Sequence, residues 1–348
     1  MFVKKTNYKT EISPLKFIDI GARWGIQRPW NRFNFLKLDY LGFEPDLVEC
    51  AKLNSSSENN PYINFLPYGL SDGEHNELLH LTKESGRSSI YEPNSEFLNK
   101  FHDSSGFEVI KKIPIKTTTI QSVFDENVID PDFMKIDTQG AELKILKGCN
   151  KYLDKLIGLE IEVEFHQIYK NQPVFSDVDS FLTKKGFELF DLNRYWAKQK
   201  VLGSDYSTRG QVIFADAIYF RSIESFYNYD FQNDVEKINK FYKLIYSLCL
   251  YGFFDKAIEF INHLKSPISS SEKNRLINDI MKSSSYSFFQ KFFLNNRIAF
   301  KLGMFLKIIA NKFMIYPNSF GWGTDYNSFG GRYVYFFSKS LSKFFGRK

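Results

Sequence analysis

The chain has a net charge of +6 and 348 residues, enough for a complete α/β domain and a further unit. The longest mostly apolar run, residues 244–254, is too short to span a bilayer, and the N-terminus lacks the apolar core of a signal peptide. Three widely separated cysteines, Cys50, Cys149 and Cys249, lack metal-site spacing and indicate buried thiols in a reducing compartment. These features argue against a secreted or membrane-spanning protein and predict a cytoplasmic one.

Hydrophobic periodicity predicts alternating strands and helices along the first 220 residues. Strands are predicted at residues 15–20, 40–44, 63–68, 77–82, 108–116, 133–137, 156–165, 187–192 and 211–220. Helices are predicted at residues 30–37, 46–53, 140–148 and 178–185. Repeated βα units imply a mostly parallel sheet with helices on both faces, and antiparallel pairing of the last strands is left open. A turn at residues 69–73 and a polar loop at 84–89, long enough to act as a lid, interrupt the pattern.

The sequence of residues 17–25 predicts the end of a strand followed by a turn that binds a nucleoside. Asp19 is an acid within an apolar strand end, which is costly without a partner. Gly21 and Gly25 then let the backbone turn tightly and approach a ligand. Glu44 ends the second strand. A glycine turn after one strand and an acid after its neighbour are the general layout of a nucleoside site in a doubly wound sheet.

Several segments of the chain resemble the FkbM-type methyltransferases, which are class I enzymes that use S-adenosylmethionine. These segments are residues 17–25, 42–46, 135–142 with 146–148, and 162–165 with Tyr169, followed by 172–175, 186–189 and 210–220. The resemblance therefore covers about residues 15–220. It implies an α/β fold with a doubly wound, mostly parallel, seven-stranded sheet of the Rossmann-like class I methyltransferase type, followed by a helical C-terminal extension.

The cofactor that this resemblance implies is S-adenosyl-L-methionine. Its predicted binding residues are Asp19, Gly21, Ala22, Arg23, Gly25, Glu44, Pro45, Gly69, Leu70 and Ser71. Glu44 suits the ribose diol because a carboxylate accepts two hydrogen bonds. Asp19 is expected to hold the ammonium group or orient the turn, and Gly69 with Leu70 to cover the adenine. Arg23 stands where the family more often has Asn, so its contact with the methionine end or with the acceptor is left open.

Two alternatives compete with this cofactor site. A dinucleotide enzyme also wants an acid on the second strand, but its fingerprint is G-x-G-x-x-G, whereas this chain has Gly21-x-x-x-Gly25. The Asp directly before the turn also fits the methyl donor better. The other alternative is that Asp19 is a buried structural acid and the glycines only make a turn.

The candidate catalytic residues are Asp137, Glu162 and His166, because transfer to a hydroxyl needs alignment and benefits from a base. Asp137 ends a central strand at the crevice and is the first candidate. Its alternative role is the N-cap of the helix near Gly140. Glu142 is expected to complete that turn through backbone N–H groups. His166 is a candidate because histidine is the usual side chain for proton transfer near neutral pH, and its alternative is a structural or exposed histidine.

Two further expectations concern the acidic strand at residues 156–165. Glu162 and Glu164 share one face, so both cannot easily be buried and ionised. One is expected to be a base or sugar ligand and the other to face solvent or a basic side chain. Tyr169 is expected to contact a sugar ring or to have a packing role. A metal site formed by Asp137, Glu162 and His166 is conceivable, but no metal is predicted.

A change in charge divides the chain into residues 1–222, the methyltransferase domain, and residues 223–348, a basic and aromatic-rich helical extension. From residue 221 onward there are 19 Lys and Arg against 9 Asp and Glu, whereas the first 220 residues hold 27 against 31. Two helices joined at Gly252 and a third at residues 287–316 are predicted. The third carries a basic stripe of Lys291, Arg297, Lys301 and Lys312. The extension is expected to contact an anionic bilayer, a lipid-linked glycan or RNA, or else to cap the catalytic domain.

The sequence therefore predicts an O-methyltransferase acting on a hydroxyl, first of all on a sugar of a surface polysaccharide or glycolipid. The sugar follows from the tendency of the family alone. The alternatives are a methyltransferase of a small metabolite and a non-catalytic scaffold that binds glycan or membrane. A nucleic-acid acceptor is disfavoured because no Asn-Pro-Pro-Tyr type motif is present. The predicted location is the cytoplasm, with peripheral contact to the inner membrane through the basic extension.

Overall fold

The computed structural model describes residues 12–33, 36–202, 210–264 and 268–285, together with residues 298, 301–306, 309 and 322–324. The described strands are β1 (Leu15–Ile20), β2 (Leu38–Phe43), β3 (Ile63–Leu66), β4 (Gly69–Leu70), β5 (Asn76–Thr82), β6 (Val109–Thr118), β7 (Phe133–Ile136), β8 (Gly158–Glu164), β9 (Phe187–Ala197), β10 (Gln211–Arg221) and β11 (Trp322–Thr324). The described α-helices are α1 (Leu47–Ser57), α2 (Ser95–Leu98), α3 (Ile120–Asn127), α4 (Glu142–Gly148), α5 (Phe175–Lys184), α6 (Ile223–Tyr227), α7 (Asp234–Tyr251), α8 (Phe254–His263) and α9 (Ser270–Ser284). Most of the predicted basic helix at residues 287–316, with Lys291, Arg297 and Lys312, lies outside the described residues.

The main sheet has the strand order β11-β9-β10-β8-β7-β1-β2-β3. Strands β8, β7, β1, β2 and β3 are parallel to one another, whereas β10 is antiparallel to β8 and β9. The short strand β11 pairs antiparallel with β9 at the edge. Strands β1 and β7 are buried almost throughout, as expected for parallel strands that are covered on both faces. The predicted doubly wound, mostly parallel, seven-stranded sheet is confirmed, with β11 as an additional strand, and the last strands do pair antiparallel.

A second sheet of three strands, in the order β4-β6-β5, is inserted between β3 and α3. Strands β5 and β6 form an antiparallel hairpin, and β4 pairs in parallel with β6. The predicted turn at residues 69–73 therefore begins with a short strand. The predicted loop at residues 84–89 contains a 3₁₀ turn, Ser85–Arg87. The guanidinium of Arg87 lies 2.6 Å from Asp103 and 2.8 Å from Glu84, and these ion pairs anchor the loop.

The segment predicted as a helix at residues 30–37 is only a 3₁₀ turn, Trp30–Arg32, in its described part. The indole of Trp30 is buried against the rings of Phe17 and Phe133, with centroid distances of 4.5 and 4.6 Å. Packing of this one side chain against β1 and β7 therefore sets the local backbone, and the segment becomes extended at Phe33.

Helices α7 and α8 cover one face of the main sheet. Phe241 and Leu248 of α7 belong to the same buried apolar cluster as Phe17 of β1 and Phe133 of β7. Gly252, with a φ of +87°, ends α7 in the left-handed conformation, which confirms the predicted joint between the two helices. The described helices of the extension are therefore a cap on the sheet. The domain division at residue 222 stays a prediction.

A buried ion cluster fixes α7 to the edge of the sheet where β7 begins. The carboxylate of Asp132 is 2.8 Å from Lys240 Nζ and 2.7 Å from Lys243 Nζ, and all three residues are buried. Lys16 of β1 donates its backbone N–H to the same carboxylate at 2.8 Å. The cluster therefore joins β1, β7 and α7. None of the helices in the described part of the chain combines the length and apolarity that a bilayer crossing requires.

Candidate active site

One cleft lies where the carboxyl ends of β1, β2 and β7 face the second sheet, the usual place for ligands in a doubly wound fold. The main sheet and its loops line it with Ile20, Gly21, Arg23, Trp24, Phe43, Glu44, Pro45, Asp46, Asp137, Thr138, Gln139 and Ala141. The other wall is lined by Tyr68, Gly69, Leu70, Leu79, Leu81, Ser85, Gly86, Ser88, Ile90, Ile113, Ile115 and Thr117. Seven predicted site residues are among them: Gly21, Arg23, Glu44, Pro45, Gly69, Leu70 and Asp137. The cleft lining does not include Asp19, Ala22, Gly25, Ser71, Glu162 or His166.

The turn after β1 needs glycine because it packs tightly against the end of β7. Gly21 has a φ of +84°, and a Cβ atom built on it would lie 1.9 Å from the carbonyl oxygen of Asp137. The backbone N–H groups of Gly21 and Ala22 both donate to the carbonyl of Phe43 at the end of β2. Gly25, with a φ of +63°, closes the turn by donating to Ala22 at 2.9 Å. Ala22 and Gly25 therefore shape the turn from behind the cleft wall.

Glu44 is a buried acid at the end of β2. Its Oε1 accepts the backbone N–H of Asp46 at 2.9 Å. Burial raises the pKa of Glu44, while the Asp46 amide and the charge of Arg23 act in the opposite direction. Arg23 itself lies 3.9 Å from the carboxylate of Asp46. It therefore faces the mouth of the cleft beside Glu44, the residue predicted to bind the ribose diol.

Asp19 lies beneath the cleft and is paired on both sides. Its Oδ2 accepts the hydroxyl of Tyr40 at 2.7 Å, and its Oδ1 is 3.7 Å from Lys135 Nζ. Burial raises the pKa of Asp19, and Lys135 and Tyr40 oppose that rise. Burial would lower the pKa of Lys135, but the nearby carboxylates of Asp19 and Asp137 outweigh it and raise the value. Lys135 is therefore a fixed cation below the cleft floor.

Asp137 follows β7 and faces the cleft, with 31% of its side chain exposed. Its Oδ2 lies 3.6 Å from Lys135 Nζ, and its Oδ1 accepts from Gln139 Nε2 at 3.1 Å. The alternative of Asp137 as a helix N-cap is wrong, because α4 has Ala141 at the N-cap without a side-chain hydrogen bond. The carboxylate is therefore free of capping and available at the crevice.

Glu142 completes the turn before α4, as predicted. Its Oε1 accepts from the backbone N–H of Thr138 at 2.8 Å and from the Thr138 hydroxyl at 3.0 Å. Burial raises the pKa of Glu142 to about 7, against the lowering effect of these hydrogen bonds. The residue therefore supports the loop that carries Asp137 and does not line the cleft.

Glu162 and Glu164 are both buried, so the expectation that one of them faces solvent or a basic side chain is wrong. Strand β8 lies between β7 and β10, so neither of its edges is open, and the Glu162 and Glu164 side chains are covered as well. Burial raises the pKa of both well above the ordinary value, and neighbouring carboxylates add to the rise. Both groups therefore favour the protonated form. Glu162 accepts from Gln139 Nε2 at 2.6 Å, immediately behind the cleft.

Three predicted residues have positions away from the cleft. His166 stacks on Phe97 with a centroid distance of 5.2 Å, and its Nε2 lies 2.9 Å from the amide nitrogen of Gln211. The ring of Tyr169 is fully buried, so the packing role is the one that the structure supports, and a sugar cannot stack on it. Ser71 is buried, and its backbone N–H donates to Thr118 at 2.9 Å.

Sequence reasoning missed several residues of the cleft. The apolar wall of the second sheet consists of alternate residues of a hairpin, Leu79 and Leu81 with Ile113 and Ile115. Their period of two is visible in the sequence and predicts a covered strand face. Trp24, with 68% of its surface exposed, and Gln139 lie within the motifs at residues 17–25 and 135–142 but carry no separate signal. Among the described residues, no three His, Cys, Asp or Glu side chains are grouped to hold a metal ion, so Asp137, Glu162 and His166 form no such site.

Residues 19–189 match the family model of the methyltransferase FkbM domain. This part of the chain is an FkbM-type methyltransferase domain. The match includes the glycine turn, the acid after β2 and the segment 135–142, so the predicted family is confirmed. No curated protein matches the sequence.

Several solved structures are similar to this chain. A methyltransferase FkbM from Methylobacillus flagellatus KT is 15% identical with a TM-score of 0.35, and the alignment covers 58% of this chain and 43% of that one. A precorrin-6y C5,15-methyltransferase from Geobacter metallireducens GS-15 is 11% identical with a TM-score of 0.31, covering 60% of this chain and 82% of that one. The 23S rRNA methyltransferase ErmE is 11% identical with a TM-score of 0.30, covering 77% and 91%. This chain thus spans less than half of the Methylobacillus protein.

Proposed function

We propose that this methyltransferase uses S-adenosyl-L-methionine and methylates a hydroxyl group on a sugar of a surface polysaccharide or glycolipid. The observation that carries the proposal is that Gly21, Glu44 and Asp137, from the ends of three neighbouring strands, line one cleft. A turn that allows close backbone approach, an acid for a diol and a candidate base are the groups that this reaction requires. The sugar acceptor rests on the tendency of the family.

The residues of the cleft suit S-adenosyl-L-methionine. Glu44 uses Oε1 for the Asp46 amide, and its remaining lone pairs suit the two hydroxyls of a ribose. The apolar wall of the second sheet suits the flat adenine ring, beside Gly69 and Leu70. When bound, the cofactor supplies a methyl group made electrophilic by its sulfonium. Gly21 and Arg23 are proposed to contact its methionine end.

The acceptor hydroxyl is proposed to lose its proton to Asp137. This carboxylate lines the cleft, is partly exposed and has the fixed cation Lys135 behind it. Glu162 and His166 were predicted beside Asp137 as catalytic residues. Neither lines the cleft, so we assign to Asp137 the role of the base that accepts the proton of the acceptor hydroxyl.

The proposal is tested with purified protein, methyl-labelled S-adenosyl-L-methionine and a panel of polysaccharide, glycolipid and small hydroxylated acceptors. We expect label on a sugar oxygen of a glycan, identified by mass spectrometry of the hydrolysate. Asp137→Asn should bind the methyl donor with nearly the affinity of the wild type but transfer at least about a hundredfold more slowly, since a positioned base contributes 10²–10⁴-fold. Label found only on a small metabolite would overturn the glycan acceptor, and failure to bind the donor would overturn the function.

A further inference from the structure

Gln139 occupies an unusual position directly behind the candidate base. Its backbone is in the left-handed region, with a φ of +59°, which is uncommon for a residue other than glycine. Its carbonyl oxygen accepts the hydroxyl of Ser89 at 2.6 Å, so the loop next to the cleft holds the peptide from the other side. A conformation of this kind persists only where the surroundings determine it.

The side-chain amide of Gln139 joins two carboxyl groups. Its Nε2 is 3.1 Å from Asp137 Oδ1 and 2.6 Å from Glu162 Oε1, so each of the two amide hydrogens has one acceptor. Its Oε1 accepts the hydroxyl of Tyr169 at 2.9 Å. The Tyr169 hydroxyl lies at the same 2.9 Å from the carbonyl oxygen of Arg87, so it is the accepting carboxylate oxygen of Asp137 that places the amide nitrogen on the carboxyl side.

We propose that Gln139 is a positioning residue for methyl transfer, which holds the Asp137 carboxylate in its orientation toward the cleft and separates it from Glu162. This inference rests on the proposed function, in which Asp137 accepts the acceptor's proton. A neutral amide is suited to this place because it donates to two carboxyl groups without adding charge. Hydrogen bonds donated to a carboxylate favour its charged form.

The ionisable groups around this pair are mostly carboxyl groups, which is why an uncharged donor matters. Lys135 on β7 is the cation next to Asp137. Carboxyl groups act on Glu162 from its own strand, Glu164 of β8, and from two further elements, Glu142 of α4 and Asp216 of β10. A second negative group in place of the amide would therefore act on an already acidic environment.

The decisive experiment measures the protonation of Asp137 directly and needs no acceptor. Protein labelled with ¹³Cγ-aspartate is saturated with S-adenosylhomocysteine, and the Asp137 signal, assigned with Asp137→Asn, is followed against pH. In Gln139→Glu we expect the titration midpoint to rise by about one unit or more, a tenfold change in acidity. Gln167→Glu is the matched control, since Gln167 is exposed and its amide donates to Gln172 instead of to Asp137, and it should leave the midpoint unchanged.

Gln139→Asn provides a second variant in case the added charge prevents folding. Asn tolerates the left-handed backbone, but its shorter side chain cannot reach both carboxyl groups, so the midpoint should again rise. Unchanged titration of Asp137 in both folded variants would overturn the positioning role. Turnover retained by Asp137→Asn would instead overturn the base assignment in the proposed function, whatever the Gln139 variants show.

Discussion

The ammonium nitrogen of Lys135 lies 3.7 Å from the buried Oδ1 of Asp19. The same nitrogen is 3.6 Å from Asp137, so one cation serves the acid below the glycine turn and the candidate base at the cleft. Lys135 and Asp19 are paired across β7 and β1, directly opposite each other in the sheet. The electrostatic environment of both Asp19 and Asp137 therefore depends on this lysine.

Lys135→Met should lower both stability and affinity for the methyl donor. Removing one partner of a buried pair typically costs about 3–5 kcal/mol. The pKa of Asp19 is already raised by burial, so without the cation it rises further, and the penalty shrinks as the pH falls and Asp19 takes up a proton. Denaturant unfolding between pH 5 and 9 checks this. The control is Lys16→Met. It removes the partly exposed ion pair between Lys16 of β1 and Asp39 of β2, and it should cost less than about 1 kcal/mol.

Glu44→Gln should weaken binding of the methyl donor without disturbing the fold. The amide keeps an oxygen for the Asp46 N–H but loses the charge that strengthens hydrogen bonds to a diol, and such bonds contribute about 1.5–3 kcal/mol. Affinity should fall roughly ten- to a hundredfold, measured by calorimetric titration. Glu58→Gln, which changes an exposed carboxylate at the end of α1, is the matched control. Equal affinities of Glu44→Gln and wild type would remove Glu44 from the site.

Asp132→Asn should strongly destabilise the protein, because it removes the buried carboxylate that pairs with both Lys240 and Lys243 and leaves Lys240 only the more distant, half-exposed Asp130. We expect a loss of about 3–5 kcal/mol in the free energy of unfolding. Burial tends to raise the pKa of Asp132, but the two lysines outweigh it and lower the value. The stabilisation is therefore present above the ordinary pKa of aspartate, about 4, and is lost as the pH falls through the lower folded value.

The neighbouring Asp130 provides the control for this prediction. Asp130 also faces Lys240, at 3.7 Å, but its side chain is 52% exposed. Asp130→Asn should change the free energy of unfolding by less than about 1 kcal/mol. Similar losses in the two variants would show that burial of the cluster is not what gives Asp132 its effect.

Methyl transfer should survive removal of divalent ions. Displacement at carbon requires alignment and a base for the acceptor hydroxyl, and Asp137 with Lys135 behind it meets the second need without a Lewis acid. Activity after dialysis against a chelator is the measurement. Activity that is lost and then restored by magnesium or manganese would make Asp137 a metal ligand and contradict this expectation.

The sequence reveals the centre of the fold because buried parallel strands must be apolar along their length, as β1 and β7 are. Gly252 as a helix end is likewise local chemistry, and Asp46, predicted as the first residue of its helix, is the N-cap one position before α1. The pairing of β5 and β6 in a separate sheet is different, because a period of two shows a covered face but not which strands cover it. The role of Gln139 also depends on distant partners, Glu162 and Tyr169, which no local pattern reveals.

The packing of α7 on the sheet has a consequence for biosynthesis. Trp30 donates its indole N–H to the hydroxyl of Tyr251, a contact between positions 221 residues apart. When a ribosome has made β1 and β7, the helix that covers their apolar face has not yet been translated. At typical elongation rates the interval until residue 251 is on the order of ten seconds. The apolar face of these two strands therefore stays uncovered until α7 has left the exit tunnel.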